Sequence, residues 1–221
     1  MQVPYTREDP SMASKSLLID ACDPNLRQKV ISLATTPGYC IFIDIVGSTR
    51  MKQLGIQRWV AHIHNTFANA GLFLSTFRPL KAIGDELMYF VEESDMIALR
   101  ESPLSLFDNL FKIAADRSES TPPTKIVAAY CTSVYPLTFF PYAQDYYGLD
   151  IDRTARIMGI RPALREREVA IDADFHTRLV AAYDATGNKE DFPSVRKLGG
   201  PCSQKVKGIP ANLVFYRTGP L

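Results

Sequence analysis

The stretch Tyr39-Cys40-Ile41-Phe42-Ile43-Asp44-Ile45-Val46 is a nearly continuous apolar run of strand length, interrupted once by a carboxylate. A run apolar at consecutive positions predicts a strand covered on both faces rather than one with a wet side. The interruption matters as much as the run, because an unpaired Asp inside apolar surroundings is costly. With 221 residues, 46% of them hydrophobic and 22% charged, the composition suits one large domain with a full core and excludes disorder.

The flanking text supplies the other elements. Residues 1–35, punctuated by Pro4, Pro10 and Pro24, are expected to be a partly helical lead-in, with helical patterns at 13–22 and 25–33, before a domain spanning 36–221. Gly47-Ser48-Thr49 predicts a turn and helix cap, followed by a long helix whose apolar stripe is Val60, Ile63, Phe67, Ala70, Leu74 and Phe77. Strands at 79–83 and 87–92 flank a hairpin turn at Gly84-Asp85. A helix at 104–117, a hairpin of 125–135 with 137–147, a helix at 149–159, a strand at 168–172, a helix at 173–184 and a closing strand at 213–216 complete the order; 185–210 is expected to be loop or hairpin. This order predicts an α+β domain with a ferredoxin-like or palm-type core, a mostly antiparallel sheet with helices on one face.

Several function classes fall away. The 25 basic and 24 acidic residues leave a net charge of +1, which gives no global attraction for nucleic acid or an anionic membrane. No apolar run reaches membrane-spanning length and the first residues carry no secretory leader pattern, so a cytoplasmic protein is expected. Cys22, Cys40, Cys131 and Cys202 are scattered and form no CxxC. His62 and His64 stand two apart on a helix and face different ways, and His176 is alone. No nucleophile elbow or Walker loop is present.

Two carboxylates remain. Asp44 lies near the end of the first strand and Asp85 in the following hairpin turn; if those strands are neighbours, the two converge at one sheet edge. Asp85 after Gly84 is also an ordinary turn residue, whereas Asp44 inside its apolar run is not. Converging carboxylates repel, and a divalent cation relieves that repulsion. Oxygen ligands suit Mg²⁺ or Mn²⁺, and two such ions about 3.5–4 Å apart stabilise both the attacking and the leaving oxygen of an in-line displacement. Further on, Asp152 and Arg156 are i,i+4 on one helix face, opposite an expected buried stripe of Ile151, Ala155 and Met158. Arg there presents forked donors suited to phosphate, and the same pair also suits a solvated salt bridge.

Four segments carry a resemblance. Phe42-Ile43-Asp44-Ile45-Val46-Gly47-Ser48-Thr49 resembles the first metal-binding strand of class III nucleotidyl cyclases, and Lys81-Ala82-Ile83-Gly84-Asp85-Glu86-Leu87-Met88 resembles their second. Asp145 through Arg156 resembles the segment bearing their base-recognition and transition-state residues, and Val206-Lys207-Gly208 before a last strand resembles their closing segment. The resemblance covers about residues 38–218. It implies an obligate homodimer with shared sites. Asp44, Asp85 and the backbone carbonyl of Ile45 hold two divalent ions, Mg²⁺ or Mn²⁺. The partner contributes Lys81 and Asp145 to read the base of a nucleoside triphosphate, Arg156 steadies the pentavalent phosphorus, and Lys207 holds the triphosphate.

Two departures stand out. Asp152 occupies the place where the family usually has Asn, and an ionised carboxylate only accepts hydrogen bonds where an amide also donates. The family's His-x-Gly pattern is replaced by Ala129-Tyr130-Cys131-Thr132. A Lys donor and an Asp acceptor suit adenine, cytosine or uracil alike. Tyr130, Tyr146 and Tyr147, which also suit sheet packing, are candidates to narrow the pocket toward a pyrimidine. The free-standing domain further resembles the pyrimidine cyclases of the bacterial Pycsar antiphage system, which implies cyclic UMP or cyclic CMP as a messenger for a separate effector. Adenylate cyclase is the alternative. Ile83-Gly84-Asp85-Glu86-Leu87 also resembles the diguanylate cyclase signature without its first Gly, and a catalytically silent nucleotide-binding module is the remaining reading.

Overall fold

In the computed structural model, which describes residues 17–18, 20, 22–140, 143–160 and 166–219, the expected apolar strand is central. The elements in chain order are β1 (Leu17–Leu18), α1 (Leu26–Ile31), β2 (Thr36–Ile45), α2 (Ser48–Leu54), α3 (Ile56–Phe73), β3 (Lys81–Ile83), β4 (Glu86–Glu92), α4 (Glu93–Ala98), α5 (Pro103–Ala115), β5 (Thr124–Phe140), β6 (Ala143–Tyr147), α6 (Leu149–Met158), β7 (Val169–Asp172), α7 (Ala173–Ala185), β8 (Cys202–Gln204) and β9 (Leu213–Arg217). The sheet runs β3-β4-β2-β5-β7-β9-β8, with β1 and β6 attached to the far end of β5. Among the described residues only β5–β7 and β1–β5 pair in parallel; the other pairings are antiparallel. This is the expected α+β, mostly antiparallel architecture.

The alternation along β2 explains its apolar run. Tyr39, Ile41 and Ile43 enter a core with Ala70 of α3, Phe107 and Leu110 of α5, and Phe175 and Leu179 of α7. Cys40 and Phe42 enter a second core with Ile157 and Met158 of α6. Successive side chains of a strand point to opposite faces, so the main helical layer lies on one face and α6 covers the other, where the order of elements predicted helices on one face alone. Asp44 shares the parity of Cys40 and Phe42 and so emerges on the α6 side.

Several local expectations needed correction. The long helix is two helices, α2 and α3, broken at Gly55, whose φ of 149° no helix accommodates. Of its stripe, Ala70 and Leu74 are buried but Val60 is exposed. The second hairpin does not break at Pro136: that residue lies within β5, in register with Tyr146, where the strand runs beyond the main sheet as an arm. Prolines in sheets belong in such peripheral places. Leu17–Leu18 pair with Leu137–Thr138 instead of joining a helix over 13–22; most of that span lies outside the described residues. The buried stripe of α6 is Thr154, Ile157 and Met158, with Ala155 exposed.

One half-buried carboxylate ties the main helical layer to the sheet. Oδ1 of Asp172 accepts from the backbone N–H of Phe175 at the start of α7 (2.9 Å) and of Tyr130 in β5 (3.1 Å). Burial pushes its carboxyl up to about 6. The folded protein thus holds this proton more tightly than the unfolded chain does. The resulting stabilisation is complete below about pH 4 and is lost as pH rises through about 6, a change of about 3 kcal/mol. Asp172→Asn keeps the accepting oxygen without the charge. Urea denaturation is expected to show this variant about 1–3 kcal/mol more stable than wild type at neutral pH, with no advantage near pH 4. Equal pH slopes for the two proteins would contradict the assignment.

Candidate active site

The antiparallel register places charged residues side by side at one end of the sheet. Asp44 lies opposite Glu86 of β4 on one side and opposite Lys125 of β5 on the other. Directly opposed residues share a face, and the Lys125 Nζ stands 2.9 Å from Asp44 Oδ2. Ile83 pairs with Glu86, which leaves Gly84 and Asp85 as a two-residue turn. Gly84 takes a φ of 66°, the left-handed conformation such turns need. Asp85 thereby sits next to the residue that faces Asp44, and its Oδ1 accepts from Lys52 of α2 at 3.3 Å. The Glu86 carboxyl is raised above the ordinary range by burial first, then by the charge of Asp44. Asp85 adds to the same effect, so both aspartates act on one spot. Ile45, whose carbonyl the resemblance enlists, ends β2 with its side chain buried.

These residues fit a hard divalent cation. The donors are carboxylate oxygens, and each aspartate already faces an ammonium group where a cation belongs. Among the described residues no three His, Cys, Asp or Glu side chains converge as a complete metal cage. Mg²⁺ is commonly held by one or two carboxylates, with water and substrate phosphate completing its shell.

A second group lies where the edge strand β3 meets the arm strand β6. Lys81 Nζ is 2.5 Å from Asp145 Oδ2, so the two residues expected to read the base are already paired within one chain. The expected tyrosines divide. The phenol of Tyr147 is raised by burial, by the charge of Asp145 and by a hydrogen bond with Asp145, which places it at this pair. Tyr146 is next to it but turned inward: its ring lies 4.2 Å from that of Phe90, and its hydroxyl donates to Glu92 at 2.9 Å. Tyr130 belongs elsewhere. It faces the main helical layer, with Arg178 3.5 Å above its ring and its hydroxyl donating to Glu93 at 2.9 Å. Adjacent residues of a strand point to opposite faces, and the parity of β5 puts Tyr130 on the face away from Lys125.

The third group is carried by α6. Asp150 anchors the start of the helix to β5 by accepting from the backbone N–H of Thr132 at 3.0 Å, and Arg153 pairs with it at 3.2 Å. Asp152 accepts from Arg156 Nε at 3.1 Å, the expected i,i+4 pair. Arg156 Nη1 also donates to the backbone carbonyl of Lys207 at 2.9 Å. Asp152, Arg156 and Lys207 are therefore brought together, and Arg156 itself offsets the charge that Asp152 adds. Two of its donors are engaged, so the guanidinium is oriented before any substrate arrives. Among the described residues no ion pair joins this group to Asp44 or Asp85. The α6 helix meets the carboxylate end through Lys125, whose ammonium lies 3.5 Å from the carbonyl of Met158.

Lys125, Lys52 and Glu86 are site neighbours that the sequence reading did not single out. Glu86 follows Asp85 directly, and its strand parity is the signal that could have found it. Lys125 becomes visible only once the β2–β5 register is known.

No protein-family model matches this chain, and no curated protein matches it. Solved structures do. The adenylyl cyclase CyaB from P. aeruginosa superposes with a TM-score of 0.60 at 14% identity, over 85% of this chain and 96% of that one. The guanylate cyclase domain of RhGC from Catenaria anguillulae, solved in complex with GTP, gives 0.58 at 12% identity over 84% and 97%. Adenylate cyclases from Trypanosoma brucei give 0.58 at 12% over 83% and 90%. The chain has the fold of class III cyclase catalytic domains.

Proposed function

We propose that this chain is a nucleotide cyclase acting as a homodimer, converting a nucleoside triphosphate to its 3′,5′-cyclic nucleotide and pyrophosphate. The observation that carries the reading is the placement of Asp44 and Asp85 at one end of neighbouring strands, each facing an ammonium where a metal ion would sit. In the reaction the ribose 3′-oxygen attacks the α-phosphorus. The α–β phosphoanhydride bond breaks, the hydroxyl proton is lost and pyrophosphate leaves. Asp44, Asp85 and the Ile45 carbonyl would hold two divalent ions, Mg²⁺ or Mn²⁺, which when bound would supply Lewis-acid help to loss of the hydroxyl proton to water and to neutralising charge. Arg156 from the second copy donates to the oxygens of the pentavalent phosphorus, Asp152 keeps that guanidinium oriented, and Lys207 holds the triphosphate.

Lys81 and Asp145 read the base, as donor and acceptor. We favour UTP, with CTP next, because the bulky phenol of Tyr147 stands at that pair and favours the smaller pyrimidine bases. The product then serves as a second messenger for a separate effector, in the manner of the antiphage pyrimidine cyclases the sequence resembles. Adenylate cyclase is the second reading, since the same donor and acceptor also match adenine. Among the described residues no helix is long and apolar enough to cross a membrane.

Incubation with Mn²⁺ and an equimolar mixture of ATP, GTP, CTP and UTP, with mass-spectrometric identification of products, tests this. Cyclic UMP or cyclic CMP is expected. Cyclic AMP as the main product refutes the pyrimidine assignment and leaves the cyclase. Absence of any cyclic product or pyrophosphate refutes the cyclase.

A further inference from the structure

Lys52 has two partners of different kinds. Its ammonium lies 3.3 Å from Asp85 Oδ1 and 4.7 Å from the ring centroid of Trp59. An ammonium over an indole face is attracted by the ring quadrupole. Trp59 is the only tryptophan of the chain, and its Nε1 is buried with no hydrogen-bond partner. No directed bond of the indole N–H therefore competes with Lys52 in setting the surroundings of that ring. Lys52 rides on the seven-residue α2, bounded by Gly47 at φ 76° and Gly55 at φ 149°. Both glycines hold backbone conformations that other residues resist, so α2 is set off from its neighbours by a turn at each end. Its side chain is 42% exposed, against 17% for Asp85, so it can leave without unpacking a core.

We propose that Lys52 is the resident counter-ion of Asp85 in the metal-free protein, a tethered cation that a divalent ion must displace, and that Trp59 senses the displacement. The inference rests on the assignment of Asp85 as a metal ligand. Two cations on one carboxylate repel each other. A divalent ion at Asp85 therefore drives the ammonium out, and the indole loses or changes its cationic neighbour. Lys52 is a positioning residue here: it holds the Asp85 carboxylate in place before metal arrives and weakens metal binding by occupying it. Lys125 stands in the same relation to Asp44, but it lies on β5, is less exposed and also contacts the Met158 carbonyl; the more exposed copy of the arrangement is the one at Asp85.

The test uses the full chain without nucleotide. Mg²⁺ is titrated while Trp59 emission and calorimetric heat are followed together; Mg²⁺ is chosen because it is not itself a paramagnetic quencher. In wild type the emission is expected to change in step with calorimetric occupancy. Asp85→Asn, which releases Lys52 without metal, is expected to show the metal-loaded emission from the start. Lys52→Gln is expected to bind Mg²⁺ about two- to five-fold more tightly, the range set by an exposed ion pair, and to lose the emission change. Lys52→Arg, which restores a cation, is expected to regain it. Loss of a positive charge alone would tighten binding but would not abolish the Trp59 signal. Mg²⁺ heat without an emission change in wild type, or an unaltered response in Lys52→Gln, overturns the role of Lys52 and leaves the metal assignment standing. No Mg²⁺ heat in wild type overturns the displacement of Lys52 by the metal alone; the metal assignment is decided separately, by whether cyclic product forms from nucleoside triphosphate and Mn²⁺.

Discussion

Arg156→Ala is expected to lower kcat by about 10²–10³, the scale of losing one preorganised donor to a developing charge, with KM changed by no more than a few-fold. The reason lies in how the side chain is held. Arg156 is fixed by Asp152 on its own helix and by the Lys207 carbonyl on the closing loop, so its remaining donors keep one direction. An arginine oriented in advance stabilises a charge that appears in the transition state far more than one already present in the bound substrate, and kcat carries that difference. Arg156→Lys keeps the charge and loses the fork, so it is expected to recover only part of the loss. The arginine also pins the loop at Lys207, and a purely structural role would appear as a lower melting temperature. Because the side chain is partly exposed, the stability change should stay within about 0.5 kcal/mol. Steady-state pyrophosphate release measures the kinetic effect. Turnover within three-fold of wild type would remove Arg156 from the chemistry.

The parts of this molecule visible in the sequence are those written in local pattern. The apolar run of β2 announced a strand covered on both faces, and the glycine before Asp85 announced the turn that carries it. The i,i+4 spacing of Asp152 and Arg156 announced a pair that the structure forms. The break of the long helix at Gly55 is a local miss; the other errors concern which face or which partner, and long-range register decides those. Tyr130 and Cys131 are neighbours in a strand buried on both sides, so nothing local says which of them faces the site. The structure sends Tyr130 to the main helical layer and Cys131 to the α6 side. Lys125 opens β5 as one more lysine until the register places it opposite Asp44. Pro136 looks like a strand breaker because the sequence does not reveal that the strand there has left the main sheet.

The arrangement within one chain leads to the second large effect. The carboxylate end and the α6–Lys207 group each form complete local networks, and among the described residues no ion pair connects them. A homodimer that brings the carboxylates of one copy to the arginine of the other would create two equivalent sites, as two-fold symmetry demands. Asp44→Ala and Arg156→Ala are each expected to be nearly inactive alone, because every site in either homodimer lacks one essential group. In a hybrid dimer, one site carries both defects and the other carries neither. Equal amounts, fully exchanged, give half hybrids with one working site each, so about one quarter of wild-type activity is expected from two nearly dead proteins. Subunit exchange is verified independently with differently tagged copies, and pyrophosphate release is followed as the mixing ratio varies. The recovered rate should peak at equal amounts and vanish at either extreme. A mixture that exchanges subunits yet stays as inactive as its components would mean that Asp44 and Arg156 of the same chain serve one site, and the shared-site reading would fail.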